Sequence, residues 1–545
     1  MKWEAFHWTQ SQPLAEDYNH HFTRVQELYD FNPWEEGSLQ RRADWVRSSG
    51  TAQADRAALI QALKEYNHRL NQPPEALRAV EALESPDALA VVGGQQAGLF
   101  GGPLLVLYKA ITILQVAKQA ADQLSCPVIP VFWIAGEDHD WDEANHMYYF
   151  GHNLTLQKIR LNGRKNVRTS VSRTVVTSSD WMKALRQLDH SLMDSPHKGE
   201  LLLEISNTLE DDPSLSLAFG RWMSKLFGKY GLVLTDSDDP NLRKLESPFF
   251  EKLISRNTEL RSALKNGEDR VKALGYHPQV SIEENQAHLF LFHEDTGERQ
   301  LLFKDGEIFT DKRGFLKYSP NHLGDLAFCS PERFSNNVMT RPLMQEFLFP
   351  VLCTVLGGAE IAYWGLTREA FHLFGMKLPI LIPRAGVTLV TDSVHKWMKT
   401  HAIRKEDIMA GLEARKEEWL REQRPVDYPG HFEKVRRQFK EIYDPLLDSI
   451  SAINKGLKTL GEINMDHILK QVRYLEEKTE QAHRTKYDKA IRQWERLTQS
   501  LTPMGKPQER VLNACAFLNQ YGNAWLNDLV ETQLPLGGKH SVYYI

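Results

Sequence analysis

Cysteine is scarce: Cys126, Cys329, Cys353 and Cys515 are the only four in 545 residues, and no two form a C-x-x-C pair. That spacing excludes a zinc ribbon, thioredoxin-like chemistry and a disulfide framework, and it fits a reducing cytoplasm. Long apolar runs are missing as well. Stretches such as Phe347 to Leu356 fall far short of the ~20 residues that span a bilayer. Met1 to His7 lacks the apolar core of a signal peptide, so a cytoplasmic protein with no membrane partner is expected. The formal net charge is −5 with no long block of one sign, which gives no support for a nucleic-acid partner. Neither common phosphate fingerprint is present: Leu99 follows Gly98 where a P-loop needs lysine, and no glycines have G-x-G-x-x-G spacing. The histidine-glycine-histidine signature of class I aminoacyl-tRNA synthetases is also absent. What remains is a chain of ordinary globular composition, long enough for two to four domains.

Glycine is concentrated where it matters. Gly93-Gly94-Gln95-Gln96-Ala97-Gly98-Leu99-Phe100-Gly101-Gly102 follows the apolar run Leu89 to Val92 and precedes a helical pattern over Leu104 to Gln123. Glycines between a strand and a helix let the backbone approach a ligand, and the amides at the helix start are expected to seat an anion. A plain turn has no need of Gln95 and Gln96 in succession, which favours a polar-ligand loop. A second strand pattern, Val128 to Ile134, runs into Gly136-Glu137-Asp138-His139-Asp140. Two strands that end in polar loops define a βαβ unit with its site at the carboxyl ends of a parallel sheet.

The rest of the chain divides by texture. Residues 1–85 read as a helical lead-in and 86–390 as the α/β core. Within that core, 150–210 reads as an insertion with β-like stretches. Strands are expected at Gly231 to Asp236, His288 to Phe292, Gln300 to Phe303 and Pro379 to Pro383, with a helix through Pro342 to Leu356. Residues 391–504 carry a 3-4 apolar spacing from Phe432 to Leu460 and again from Ile468 to Leu497, with a turn-like Gly461 between them. That pattern argues for a helical hairpin or coiled coil. Residues 505–545 are apolar enough to pack back on the core.

Glu137, Asp138, His139, Asp140, Asp142, Glu143 and His146 form the densest ionisable cluster. A helix beginning near Asp138 would place His139, Asp142 and His146 on one face. Three readings stand side by side. They are general acid/base work with a carboxylate beside His139, a metal site of imidazole and carboxylate, and simple helix capping.

Together these segments resemble the bacillithiol biosynthesis cysteine-adding enzymes, a family of cysteine ligases. The matching residues are Gly94 to Phe100, Pro103 with Tyr108-Lys109, Val131 to Asp140, Arg341-Pro342, Phe349-Pro350, Glu360 to Trp364 and Pro383-Arg384. The resemblance implies a Rossmann-like parallel sheet with inserted connecting segments and a C-terminal coiled coil that forms a homodimer. It also implies the reaction: joining the cysteine carboxyl to the amine of glucosaminyl-malate in the last step of bacillithiol synthesis. Catalysis is then expected from Asp138, His139 and Asp140, with His139 as the base for the attacking amine. Substrate binding is expected from Gly94, Gln95, Gln96, Gly98, Glu137, Asn337, Arg341, Glu360, Tyr363 and Arg384. ATP with magnesium is the expected activator, with no resident metal on the protein. Two rival classes remain open at this point: a dimeric coiled-coil scaffold, and a metal-dependent hydrolase using His139, Asp142 and His146.

Overall fold

The computed structural model describes residues 3–9, 11–50, 53–151, 155–163 and 167–545. Their contacts group into two units, Met1–Val390 with Lys506–Ile545, and Thr391–Gly505. In the first unit the architecture follows from strands that are apolar on both faces. In β1 (Leu89–Gln95), Leu89 and Val91 enter one hydrophobic core while Ala90 and Val92 enter another. In β2 (Val128–Ile134), Phe132 and Ile134 divide from Val131 and Trp133 in the same way. Such strands need cover on both sides, the condition of a parallel sheet between helical layers.

Three more strands complete that sheet: β3 (Val233–Asp236), β4 (Val351–Leu356) and β5 (Ile380–Pro383). The order is β5-β4-β1-β2-β3, and every neighbouring pair is parallel. The chain builds outward from β1 through β2 to β3, then returns to lay β4 on the other side of β1. The crevice beyond the carboxyl ends of β1 and β4 is therefore the topological switch point of a Rossmann-like core. Helix α1 (Leu104–Leu124) links β1 to β2 and packs on both. Its length and composition would suit a membrane span, yet 72% of its most apolar window is buried inside the fold. Gly93 lets α1 approach closely, since a Cβ there would lie 2.7 Å from Ile113 Cδ1.

A second, antiparallel sheet stands over the crevice. Its strands run in the order Lys317–Tyr318, Ile308–Asp311, Arg299–Asp305, Gln286–Phe292, Phe334–Asn336. The C-terminal residues return to this unit, where Lys539–Tyr544 pairs with Trp3–His7 and with Gly386–Val390.

Several local expectations are corrected. The apolar run after Pro342 is not one helix: the helix Arg341–Leu348 ends before Pro350, and Val351–Leu356 becomes a central strand. Proline ends the helix, and the β-branched residues beyond it suit a strand buried on both faces. Among the described residues of 150–210, the strand Leu156–Arg160 pairs antiparallel with His146–Phe150 just before it, and two helices follow, Ser178–Ser191 and Lys198–Asn207. Trp181, Ala184 and Leu188 supply the helical spacing, and Thr177 caps the first of these helices by accepting from the Asp180 amide.

In the second unit, Tyr428–Ser451 and Lys455–Lys486 pack together as a helical hairpin. The turn falls at Asn454, whose side chain accepts from the Gly456 amide, and not at Gly461. Gly461 lies inside the second helix, where a Cβ would meet Leu447 Cδ2 at 2.2 Å. The glycine marks close helix–helix packing rather than a reversal.

One N-terminal residue ties the lead-in to the sheet. Arg42, on helix Ser38–Ser48, is fully buried. Its guanidinium donates to Glu346 Oε1 at 2.5 Å, to the Val351 carbonyl at 2.7 Å and to the Lys377 carbonyl at 3.1 Å. Burial pushes the Glu346 carboxyl up to about 7 against the pull of Arg42. Arg42→Ala leaves that acid and two carbonyls without their partner. Urea unfolding is expected to show a loss of about 3–5 kcal/mol.

Candidate active site at the sheet switch point

The crevice is a cleft of about 430 Å³. Gly94, Gln95 and Gln96 reach it from the end of β1, Ala135 to His139 from the end of β2, and Glu360 and Tyr363 from the helix after β4. The facing wall comes from the antiparallel sheet, with Gln286, Phe290, Arg299 and Leu301, and from Asn336, Asn337 and Arg341.

The two walls meet at Glu137. Its carboxylate accepts from Arg243 Nη2 at 2.5 Å and from the backbone amide of Asn336 at 3.1 Å. Arg243 also donates to Glu246 at 2.5 Å. Burial alone would lower the Arg243 pKa, but Glu246 and Glu137 outweigh it and hold the guanidinium charged. Burial also pushes the second acid, Glu246, up to about 8. Glu137 thus forms the floor of the cleft as a bridge between the sheets.

Asp138 has a different environment. It accepts from Gln96 Nε2 and, at 2.7 Å, from the His139 amide. The His139 ring packs beside Phe290, and its Nδ1 lies 3.0 Å from Arg299 Nη1. Arg299 is fixed in turn by Ser335 Oγ at 2.8 Å, by the Asn336 carbonyl at 2.6 Å, and by the Phe290 ring under its guanidinium. A guanidinium has no acceptor atom, so Nδ1 takes the hydrogen bond and the neutral imidazole carries its proton on Nε2. Burial lowers the His139 pKa and Arg299 lowers it further, so the ring is neutral at and above its ordinary value of 6.5.

Ten of the candidate residues line this cleft, among them Gly94, Gln95, Gln96, Asp138, His139, Arg341, Glu360 and Tyr363. The amide of Asn337, another lining residue, is committed to its own turn: Oδ1 accepts from Met339 and Thr340, and Nδ2 faces His288 Nδ1. Asp140 caps the four-residue helix Trp141–Ala144 by accepting from the Glu143 amide, which is the capping reading of the acidic cluster. Gly98 packs against Gly102, where a Cβ would come within 2.6 Å of the neighbouring Cα. Arg384 is paired with Glu509 at 2.5 Å. None of Asp140, Gly98 and Arg384 lines the cleft.

The start of α1 is not an open anion seat either. The Leu104 amide donates to the Leu512 carbonyl, and Asn513 Nδ2 faces the carbonyls of Leu99, Phe100 and Gly102. The expected helix from Asp138 does not form, and His146 lies in a strand. Asp142 pairs with Arg160, and His146 Nδ1 donates to the Asp142 carbonyl, so His139, Asp142 and His146 do not converge as ligands.

Sequence reasoning missed four members. Arg299 and Phe290 sit on strands recognisable by pattern, but nothing in the pattern says that those strands roof a cleft. Lys109 is buried under the end of β1, donating to the Gly94 carbonyl and to Glu360 at 2.7 Å each. Most telling is Asn336: only 2% exposed, it lines the cleft with neither amide atom partnered among the described residues. Buried amides in folded proteins are nearly always satisfied, so this one points to a ligand.

A parallel sheet with a polar cleft at its switch point, roofed by an antiparallel sheet, defines a Rossmann-like protein with inserted segments. Residues 1–385 match the family model for the N-terminal Rossmann-like domain of the bacillithiol biosynthesis protein BshC, and residues 387–545 match the model for its C-terminal coiled-coil domain. A relative from Bacillus cytotoxicus is 34% identical over 532 residues, 97% of this chain and 98% of its own. One from a strain of Bacillus cereus is 32% identical over the same shares. Both are named "Putative cysteine ligase BshC". The chain belongs to the BshC family.

The Arg299–His139 contact has a direct readout. Arg299→Gln removes a positive charge 3.0 Å from Nδ1, so the His139 pKa is expected to rise, as measured by NMR titration of the imidazole. An unchanged value would show that Arg299 does not set the charge of this ring.

Proposed function

We propose that this chain is the cysteine ligase of bacillithiol synthesis, forming the amide between the cysteine carboxyl and the amine of glucosaminyl-malate as the last step. The observation that supports it best is the unpartnered Asn336 amide in a cleft that also holds Gln95, Gln96, Asp138, His139 and Arg341. A cleft of about 430 Å³ is of the size that encloses a small polar metabolite.

A free carboxylate reacts with an amine only after its oxygen becomes a leaving group. ATP with magnesium is the co-reactant in this reading, and it supplies that activation. Because the α1 terminus is covered, phosphate or carboxylate oxygens would be held by side chains, chiefly Arg341 and the Gln95–Gln96 pair. His139 would present its Nε2–H to the acyl oxygen as negative charge grows there. Asp138 would receive the amine proton as the carbon–nitrogen bond forms and the activated oxygen departs with its phosphoryl group. This assignment differs from the expectation that His139 is the base, because Arg299 occupies its remaining lone pair.

Mass spectrometry of mixtures containing cysteine, glucosaminyl-malate, ATP and magnesium, each omitted in turn, tests the reaction. Bacillithiol formed only in the complete mixture is the expected outcome. Absence of product from folded protein in every mixture would overturn it. His139→Ala is expected to lower kcat about 10²–10³-fold, the cost of losing a preorganised oxyanion donor, and His139→Gln should recover part of that loss. Full activity in His139→Ala would remove the residue from the mechanism.

The same reading includes a homodimer formed through the helical hairpin. Ile442 on the first helix, Ile453 in the turn, and Leu460, Ile463 and Leu475 on the second helix leave large apolar side chains exposed, a surface suited to a second copy. Sedimentation should show a dimer for the native chain and a monomer for the double variant Ile453→Asp/Leu460→Asp.

A further inference from the structure

A second constellation of ligating side chains lies among the N-terminal elements and shares no residue with the cleft. The edge strand Trp3–His7 ends at His7, which its pairing with the C-terminal strand sets opposite Lys539. The next helix, Pro13–His20, carries Glu16 and His20 four residues apart and so on one face. His7 Nε2 lies 3.1 Å from Glu16 Oε1, and His20 Nε2 lies 3.8 Å from the same oxygen. One ligand atom from each of the three residues falls within 4.8 Å of the others, the only such group of His, Cys, Asp and Glu among the described residues.

These separations match a coordination shell. Ligand atoms held at about 2.0–2.2 Å from a tetrahedral ion stand roughly 3.4 Å apart. The three side chains therefore need only small rotations to close on a cation. The surroundings also fix His20 in place. Gly538, at φ +75°, passes so close that a Cβ there would stand 3.0 Å from His20 Nε2, so this imidazole is held between the helix and the chain that leads into the C-terminal strand. The side chains of His7, Glu16 and His20 remain 51%, 21% and 26% exposed, which leaves an entry path and a position for water.

We propose that His7, Glu16 and His20 form a binding site for a divalent transition metal, best suited to Zn²⁺, that clips the N-terminal edge strand to the first helix. Two imidazoles and one carboxylate are a borderline donor set. They favour zinc over magnesium or calcium, which take all-oxygen shells. Three protein ligands plus water leave the site open, and its affinity below that of closed four-ligand sites. Its occupant matters for structure: the five-residue strand it would anchor pairs along one side only. The site does not depend on the ligase reading, since it shares no residue with the cleft.

Isothermal titration of full-length, chelator-treated protein carrying no histidine tag, with zinc chloride as the probe, tests the site. One ion per chain is expected, with affinity weakened at least tenfold in His7→Ala, in His20→Ala and in Glu16→Gln, and unchanged in His21→Ala. Hydrogen exchange should show the amides of Trp3–His7 better protected with zinc than without. That measurement keeps the test valid if one alanine variant fails to fold. Stoichiometric binding that survives in the His7→Ala/His20→Ala double variant would overturn the proposal. So would an absence of saturable binding up to about 1 mM zinc, the weak end of measurable affinity.

Discussion

The cleft exists because one buried carboxylate belongs to both of its walls. Glu137 leaves the parallel sheet at the end of β2, takes the Arg243 guanidinium from behind, and holds the backbone amide of Asn336 across the gap. Removing a partner from such a buried pair costs far more than the pair itself contributes, so the arrangement works as a geometric constraint rather than a source of net stability. It fixes the distance between Asp138 and His139 on one side and Asn336 and Arg341 on the other. Glu137, expected as a substrate ligand, lines the cleft with its carboxylate already engaged by Arg243 and the Asn336 amide.

The fold was largely legible in the residues. Alternation that never turned polar marked β1 and β2 as doubly buried, and the two polar loops after them marked the correct end of the sheet. The site was legible only in part, for a topological reason. Gln96, Asp138 and His139 lie on consecutive strand ends, so their meeting follows from one βαβ unit. Arg299, Phe290 and Asn336 come from a second sheet whose placement over the first is set by Glu137, Arg243 and long-range packing. Local pattern carries no record of such contacts. The same limit explains the run after Pro342, which reads as helix until the sheet claims Val351 to Leu356.

Gly98 and Asp140 show how a plausible functional signal dissolves into a backbone requirement. The glycine is needed because Gly102 passes within contact distance, and the aspartate because a four-residue helix begins beside it. His139 is the opposite case. Its surroundings decide its chemistry: beside a carboxylate alone it would gain basicity, while burial and then Arg299 keep it a neutral donor. In each instance the residue type was informative and its partner supplied the meaning.

The return of the last forty residues to the first unit has a consequence for synthesis on the ribosome. The carbonyls of the glycine loop are satisfied by Asn513, the Leu104 amide by Leu512, and the strand Trp3–His7 by Lys539–Tyr544. None of these partners has been made when the parallel sheet first emerges, and the whole second unit, Thr391–Gly505, must be translated before they appear. The nascent core therefore waits, with its glycine loop unlatched and an edge strand unpaired, while that unit is made. Contacts of such high sequence separation make the final closure slow and leave that intermediate exposed to aggregation. Residues 506–545 thus close the first unit only after everything else in it has been translated.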